Sequence, residues 1–343
     1  MRYSGNYMKK FGVLPFGNDV FEYTISNTNG MSLSAINYGG IITKLYVPSR
    51  DGSLHNVVLS YPNLNGYISD TYYIGALIGR CANRIAHASF ILNDTEYSVT
   101  KSHGANHLHG GLKGFHAVYW EISKKKTYRG ECLELRYRSM DGEEGYPGNL
   151  DVLVLYELLD TNELIITYSA HSDAPTIANF TQHSYFNLSG SLEQNVLQHN
   201  IEFFGSQFLP VQSDGIPIGT IRPISELCDS RTTVHSILTS QSPQILFAQG
   251  LDHCFVVSDV SSQELHKCVK IMSPATNIAL TVYSNQEAFQ CYSGNFLAGN
   301  FVKHAGLCVE TQAYTNAINE PSFPSVILLP NTLYERKTVF SFS

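Results

Sequence analysis

Apolar and polar positions alternate with a period of two along most of the chain. In "CLELRYRS", Leu133, Leu135 and Tyr137 alternate with Glu134, Arg136 and Arg138, the signature of a half-buried strand. "LIITYSAHS" (164–172), "CVKIMS" (268–273) and "IALTVYSN" (278–285) are β-rich runs of strand length. In "ASFILNDTEYSVT" (88–100), Asn93 and Asp94 separate two such runs, which predicts a tight hairpin. Helical periodicity is scarce, and only the segments 60–78 and 224–247 are expected to hold a short helix or helical turn. Strands punctuated by turns, with few helices, predict an all-β, mostly antiparallel protein. No Pro/Gly/Ser linker, composition shift or internal repeat divides the chain, so residues 1–343 are expected to form one domain.

The stretch "NFTQHSYFNLSG" (179–190) sets one histidine among amides, hydroxyls and aromatics. As one strand it places Phe180, Ser184, Phe186 and Leu188 on one face, with Gln182 as a polar exception. Thr181, His183, Tyr185 and Asn187 fall on the other. That second face is polar and uncharged, suited to a hydroxyl-rich ligand. On this stretch alone, His183 fits a hydrogen-bonded structural histidine as well as a proton-transfer group.

Bulk composition narrows the function classes. The chain is 43% hydrophobic and 15% charged, and its 21 Tyr and 18 Phe favour strands. A net charge of −7 disfavours nucleic acid or an anionic membrane as the main partner. The start has no apolar h-region, and no apolar run reaches membrane-spanning length. Seven scattered cysteines without a C-x-x-C pair suit free thiols in a reducing cytoplasm better than a disulfide framework or a structural zinc site. The expected location is therefore cytoplasmic.

Further polar constellations carry candidate chemistry. "GRCANRIA" (79–86) offers Arg80, Asn83 and Arg84, donors and an acceptor for substrate hydroxyls or, in the bland case, supports for a hairpin. "GANHLHGG" (104–111) holds His107 and His109. Two histidines without a neighbouring carboxylate or cysteine are a weak metal signal, and a substrate contact from one of them is the better reading. In "GLDHCFVV" (250–257), Asp252 stands at the start of an apolar strand, as a turn residue or as an acceptor for two sugar hydroxyls. "FQCYSGNF" (289–296) contains Gln290. In "GLCVETQAY" (306–314), Glu310 follows Leu307, Cys308 and Val309, at the edge of buried structure where a carboxylate becomes a better base. The acidic, turn-rich "DGEEGYPGNL" (141–150) is a surface loop by default, with a composition that also suits the rim of a sugar cleft. No G-x-S-x-G elbow, P-loop or GxGxxG unit is present.

Taken in order, "GRCANRIAHASFILND", "NHLHGG", "NFTQHSYFNLSG", "LDHCFV", "FQCYSGNF" and "LCVETQAYTNAINEPSFPSVILLP" resemble the aldose 1-epimerases, the galactose mutarotase family. The resemblance runs from about residue 10, through "INYGGIITKLYVP" (36–48), to the closing "FSF". It implies a galactose-mutarotase-like β-supersandwich with a sugar cleft across one sheet, and neither metal nor organic cofactor. It further implies Glu310 as general base and His183 as general acid, His109 as the second active-site histidine, and Asn83, Arg84, Asp252 and Gln290 as substrate-binding residues. The expected partner is a small sugar, with the protein a monomer or homodimer. Cys81, Cys254 and the short "LAGNFVKHAG" connection depart from the pattern without removing a catalytic group. Three rivals stand beside this reading: an epimerase of the same fold acting on a sugar phosphate or disaccharide, a non-catalytic carbohydrate-binding protein, and a metal-dependent lyase or hydrolase using His107, His109 and His183.

Overall fold

The alternation in "CLELRYRS" materialises as the middle of the strand Gly130–Ser139, with Leu133 and Leu135 fully buried and Arg136 and Arg138 exposed. A computed structural model, describing residues 7–191, 193–257 and 263–343, shows what that strand joins. It is the second strand of a nine-stranded antiparallel sheet, between Glu121–Lys126 and Leu150–Leu159. The sheet continues through Glu163–Ser172, Tyr334–Phe342, Ala279–Ser284 and His266–Met272 to Asn200–Phe203 and Arg231–Thr233. A six-stranded sheet contains Tyr185–Phe186, Leu307–Gln312, Ala288–Tyr292, Asp252–Val256, Gln207–Leu209 and Arg222–Pro223, in that order. A five-stranded meander spans Met8–Val13 to Leu54–Asn56.

One apolar core takes residues from all three sheets: Ile25 and Leu33 from the meander, Val154, Ile166 and Phe340 from the large sheet, and Phe255, Phe289, Leu307 and Val309 from the six-stranded one. Across it Phe255 stacks on Phe203 at 4.3 Å between ring centroids and on Phe289 at 5.3 Å. Aromatic rings dominate core energetics because each removes a large apolar area from water. The hydroxyls of Thr311 and Thr338 hydrogen-bond to each other, one from each sheet.

The predicted hairpin is present, with strands Ser89–Leu92 and Thr95–Ser98 joined by Asn93 at φ +50 and Asp94 at φ +59. Two consecutive positive φ values are what a two-residue type I′ turn requires, and Asn and Asp tolerate them best after glycine. The expected helical segments contain one short helix, Leu64–Ile68, and a pair, Val234–Leu238 and Pro243–Phe247. The stretch 179–190 differs from expectation because it is not one strand. Thr181–Gln182 pairs with Leu77–Ile78, while Tyr185–Phe186 pairs with Leu307 and Cys308. Between them the Ser184 amide donates to Gln182 Oε1 at 2.8 Å, breaking the ladder. Neither face meets solvent: Thr181, His183, Tyr185 and Asn187 are all buried.

If the stacked rings hold the two sheets together, Phe255→Ala should cost about 3–5 kcal/mol, as large aromatic truncations in cores do. The exposed Ile91→Ala should change stability by less than about 0.5 kcal/mol. Urea unfolding of both variants checks the contrast, and equal effects would place the core elsewhere.

Candidate active site

Period-two alternation gives the six-stranded sheet two unlike faces. Leu307 and Val309, Phe289 and Cys291, and Phe255 point into the core. Glu310, Gln290 and Asp252, each an odd number of positions from these along its strand, therefore share the opposite face. Register brings them together, since Gln290 lies opposite Glu310 and its strand also pairs with Asp252–Val256. Gln290 Nε2 donates to Asp252 Oδ1 at 2.6 Å, and Asp252 Oδ2 faces Arg84 Nη2 at 3.5 Å. The cleft over this face has a volume of about 200 Å³ and is lined by all seven residues expected from the sequence: Asn83, Arg84, His109, His183, Asp252, Gln290 and Glu310.

His183 reaches the cleft from the break in the stretch 179–190. Its backbone N–H donates to Ala76 O at 2.8 Å, and its carbonyl accepts from Gly75 N at 3.0 Å. Its Nε2 lies 3.5 Å from Glu310 Oε1, with both side chains almost wholly buried. Its Nδ1 lies 3.5 Å from Cys308 Sγ. Thus a carboxyl from the strand Leu307–Gln312 and an imidazole from the break in the stretch 179–190 meet at the cleft floor.

His109 is held by a reciprocal pair of bonds. Its N–H donates to Asn83 O at 3.0 Å, while Asn83 N donates to its Nδ1 at 3.2 Å. An imidazole that accepts at Nδ1 carries its proton on Nε2, so His109 is a neutral donor. The turn after it needs glycine at Gly110, where φ is +83 and a Cβ would meet Gly79 O at 1.8 Å. Asn83, at φ +63, accepts through Oδ1 from the Arg84 backbone N–H at 3.0 Å and from Arg84 Nη1 at 3.2 Å, aiming the guanidinium.

Other sequence candidates are structural. Buried Arg80 donates to Ser139 Oγ at 2.7 Å and to the carbonyls of Ser139, Met140, Pro147 and Gly148 at 2.7–3.0 Å. It pins the loop 141–150 instead of holding a substrate. That loop does not line the cleft; its Glu144 carboxylate accepts from the amides of Leu112 and Lys113 at 3.0 and 2.9 Å, fastening the turn that follows His109. His107 is occupied at both nitrogens, by Thr100 O and the Tyr146 hydroxyl, each at 2.6 Å. The metal reading based on His107, His109 and His183 thus loses a member. His109, His183 and Glu310 do present three donor atoms within 4.8 Å of one another. Tyr73, Tyr292 and Phe296 also line the cleft; the last two lie in the quoted stretch 289–296 without having been singled out, and nothing in its sequence surroundings marked Tyr73. A polar residue among apolar neighbours announces itself in a pattern, whereas an aromatic in a loop does not.

Burial governs the electrostatics. It pushes the Glu310 carboxyl well above the usual carboxylate range; nearby Asp252 adds to the shift and Arg84 opposes it. It also pushes His183 down to about 4, and His109 well below its ordinary value with His183 as the next cause. Low polarity therefore favours a pair that is neutral overall, Glu310 and His183 sharing one proton. Glu310 Oε2, Gln290 Oε1 and Arg84 Nε are buried without a hydrogen-bond partner in the protein. Buried polar atoms are normally paired, so acceptors and a donor left over at one cleft point to a polyhydroxylated ligand.

Comparison with known proteins places this architecture. The family model described as aldose 1-epimerase matches residues 22–341. The galactose mutarotase of Bos taurus is 37% identical over 342 residues, covering 97% of each chain. The aldose 1-epimerase of Escherichia coli K12 is 29% identical and covers 96% of each. Among solved structures, the galactose 1-epimerase of Lactobacillus acidophilus NCFM superposes with a TM-score of 0.85 at 26% identity, covering 98% of both chains.

The buried imidazoles generate a stability test. His116, His199 and His253, which lie outside the Glu310–His183 pair, are each lowered by burial to about 4 in the fold, from an ordinary 6.5. Between those values the unfolded chain binds protons that the folded chain refuses, so stability is full above pH 6.5 and falls as pH drops towards 4. At about 1.4 kcal/mol per pKa unit, each imidazole costs on the order of 3 kcal/mol at most. The urea midpoint should fall steeply from pH 6.5 to 4. A midpoint unchanged across that range would refute their burial as neutral groups.

Proposed function

The chain belongs to the aldose 1-epimerase family, and from that premise we propose how its cleft performs the reaction. The protein is an isomerase that interconverts the α and β anomers of aldohexoses. Ring opening requires the anomeric hydroxyl to lose a proton while the ring oxygen gains one. Glu310, as carboxylate, takes the proton from O1, and His183, as imidazolium, delivers one to O5. The O1–H electrons form the carbonyl as C1–O5 breaks. Rotation about C1–C2 then presents the other carbonyl face, O5 attacks C1, and both protons return with the roles reversed. The pair begins and ends with one proton between them, so each turnover resets it.

The observation that carries this reading is the Glu310–His183 approach of 3.5 Å at the buried floor of the cleft. Positioned acid and base groups each contribute about 10²–10⁴-fold. A module that only binds sugar has no use for a carboxyl stripped of water beside an imidazole. His109 serves as a neutral donor to the O1/O5 region, while Asn83, Arg84, Asp252 and Gln290 take the remaining hydroxyls. Among the lining residues that are described, Arg84 is the sole arginine and no lysine is present. Arg84 already faces Asp252, which favours an unphosphorylated aldose over a sugar phosphate. Galactose is the substrate proposed, on the names of the mammalian relatives.

The chain is also proposed to act as one domain, since its three large sheets contribute to one core. We place it in the cytoplasm, as a monomer or homodimer. All seven cysteines are free thiols, six of them buried. No helix among the described residues is long and apolar enough to cross a membrane.

Optical rotation of freshly dissolved α-D-galactose tests the reading. Native protein should accelerate equilibration, and Glu310→Gln and His183→Asn should each lower kcat by about 10²-fold or more with an unchanged circular dichroism spectrum. Exhaustive dialysis against a chelator should leave the native rate intact. Activity lost to chelation and restored by one divalent metal would replace acid–base chemistry with a metal mechanism at His109, His183 and Glu310.

A further inference from the structure

Tyr73 has a backbone its side chain does not favour. Its φ is +58, in the left-handed region where glycine or asparagine would sit with less strain. The conformation is imposed by its neighbours. The Asp70 carboxylate accepts from Tyr72 N at 2.9 Å, Ile74 N at 2.6 Å and the Tyr61 hydroxyl at 2.9 Å, fastening the turn on both sides of Tyr73. Gly75 follows at φ +68, where a Cβ would meet Ile42 O at 2.3 Å. The same turn bonds His183 through both of its backbone groups, by Gly75 N and Ala76 O.

The ring delivered by this turn stands among imidazoles. Its centroid is 4.8 Å from His109, 4.9 Å from His116 and 5.8 Å from His183. Tyr185 approaches His183 as well, at 5.1 Å. Burial holds the Tyr73 phenol up at about 12, so it remains neutral. A strained residue whose side chain borders both active-site histidines is best explained by what that side chain does there.

We infer that Tyr73 is a positioning residue, whose ring fixes the planes of His109 and His183 and keeps water from the Glu310–His183 pair. This rests on the acid–base reading of that pair. The other charged or titratable groups facing it are Asp252 and Arg84 from the cleft, His109 and His116 beside Tyr73, Cys254, Cys291, Cys308, Tyr185 and Tyr292 on the neighbouring strands, and Tyr168 from the large sheet. None of them would fill the volume that Tyr73 occupies. Water reaching the pair would ease the addition of a second proton and equally ease the loss of the shared one. The pH range over which exactly one proton is held would shrink from both sides.

The experiment is the pH profile of kcat/KM for galactose mutarotation in wild type, Tyr73→Phe, Tyr73→Asn and Glu310→Gln. Tyr73→Asn keeps a residue that accepts the left-handed backbone and removes the ring. It should lose about 10–100-fold in kcat, with the acid limb moving up and the alkaline limb moving down by about half a pH unit or more. Tyr73→Phe should stay within about twofold of wild type with an unchanged profile. Tyr73→Gly carries the same expectation as Tyr73→Asn and replaces it if the asparagine variant does not fold. A ring-less variant with the wild-type profile width overturns the inference, because a general structural loss lowers the curve without narrowing it. Tyr73→Phe as impaired as Tyr73→Asn also overturns it, assigning the hydroxyl a direct role on the sugar. Full activity in Glu310→Gln would instead remove the acid–base premise itself.

Discussion

Along the strand Leu307–Gln312, Leu307 and Val309 enter the core while Glu310, the residue after Val309, faces the cleft. The strand lies inside its sheet, paired on both sides, so its register cannot slip without driving Glu310 into a hydrophobic core. The cleft depends on that constraint. The same alternation in Ala288–Tyr292 and Asp252–Val256 sets Gln290 and Asp252 beside Glu310, and the packed rings of Phe203, Phe255 and Phe289 on the reverse side hold the sheet flat against its partner. The cleft carboxylate is thereby placed by apolar packing on the opposite face of its sheet.

Burial of this kind would be destabilising if it stranded a full charge, and the site avoids that cost by pairing. Glu310 and His183 hold one proton between them, and neither ionic nor neutral partition changes the net charge of the pair. Arg84 and Asp252 compensate each other in the same way at the cleft wall. In the ring opening proposed above, charge develops on the sugar oxygens, and the cleft offers donors and acceptors that have no partner within the protein. Such prearrangement spares the solvent reorganisation that slows the same reaction in water.

The supports of the site extend well beyond its lining. Arg80 ties down the loop 141–150, Glu144 of that loop fastens the backbone at Leu112 and Lys113, and the preceding turn carries His109. On the opposite side, Asp70 fastens the turn that carries Tyr73 and bonds the His183 backbone. Both devices use a buried or half-buried charge to satisfy several backbone groups of an irregular segment, which loops need when they are packed inside a protein.

Strand-forming alternation, the Asn93–Asp94 turn and the scarcity of helix are local consequences of side-chain type, and they were legible from the sequence alone. So were the seven residues that line one cleft, because polar groups set in apolar surroundings stand out and because their order along the chain resembles one family. Distances were not legible. Arg80 and Arg84 stand four positions apart with the same chemistry, yet the first is a loop anchor and the second faces the sugar cleft; His107 and His109 divide in the same way. Both distinctions arise from contacts with segments about 20 to 170 residues away, which no local pattern encodes. The break after Gln182 likewise follows from pairing with two different sheets. Sequence by itself determined which elements and which reactive groups this protein has. Tertiary structure decided which groups meet, and through burial which of them hold a proton, because desolvation and pair distances exist only once the sheets have closed over one another.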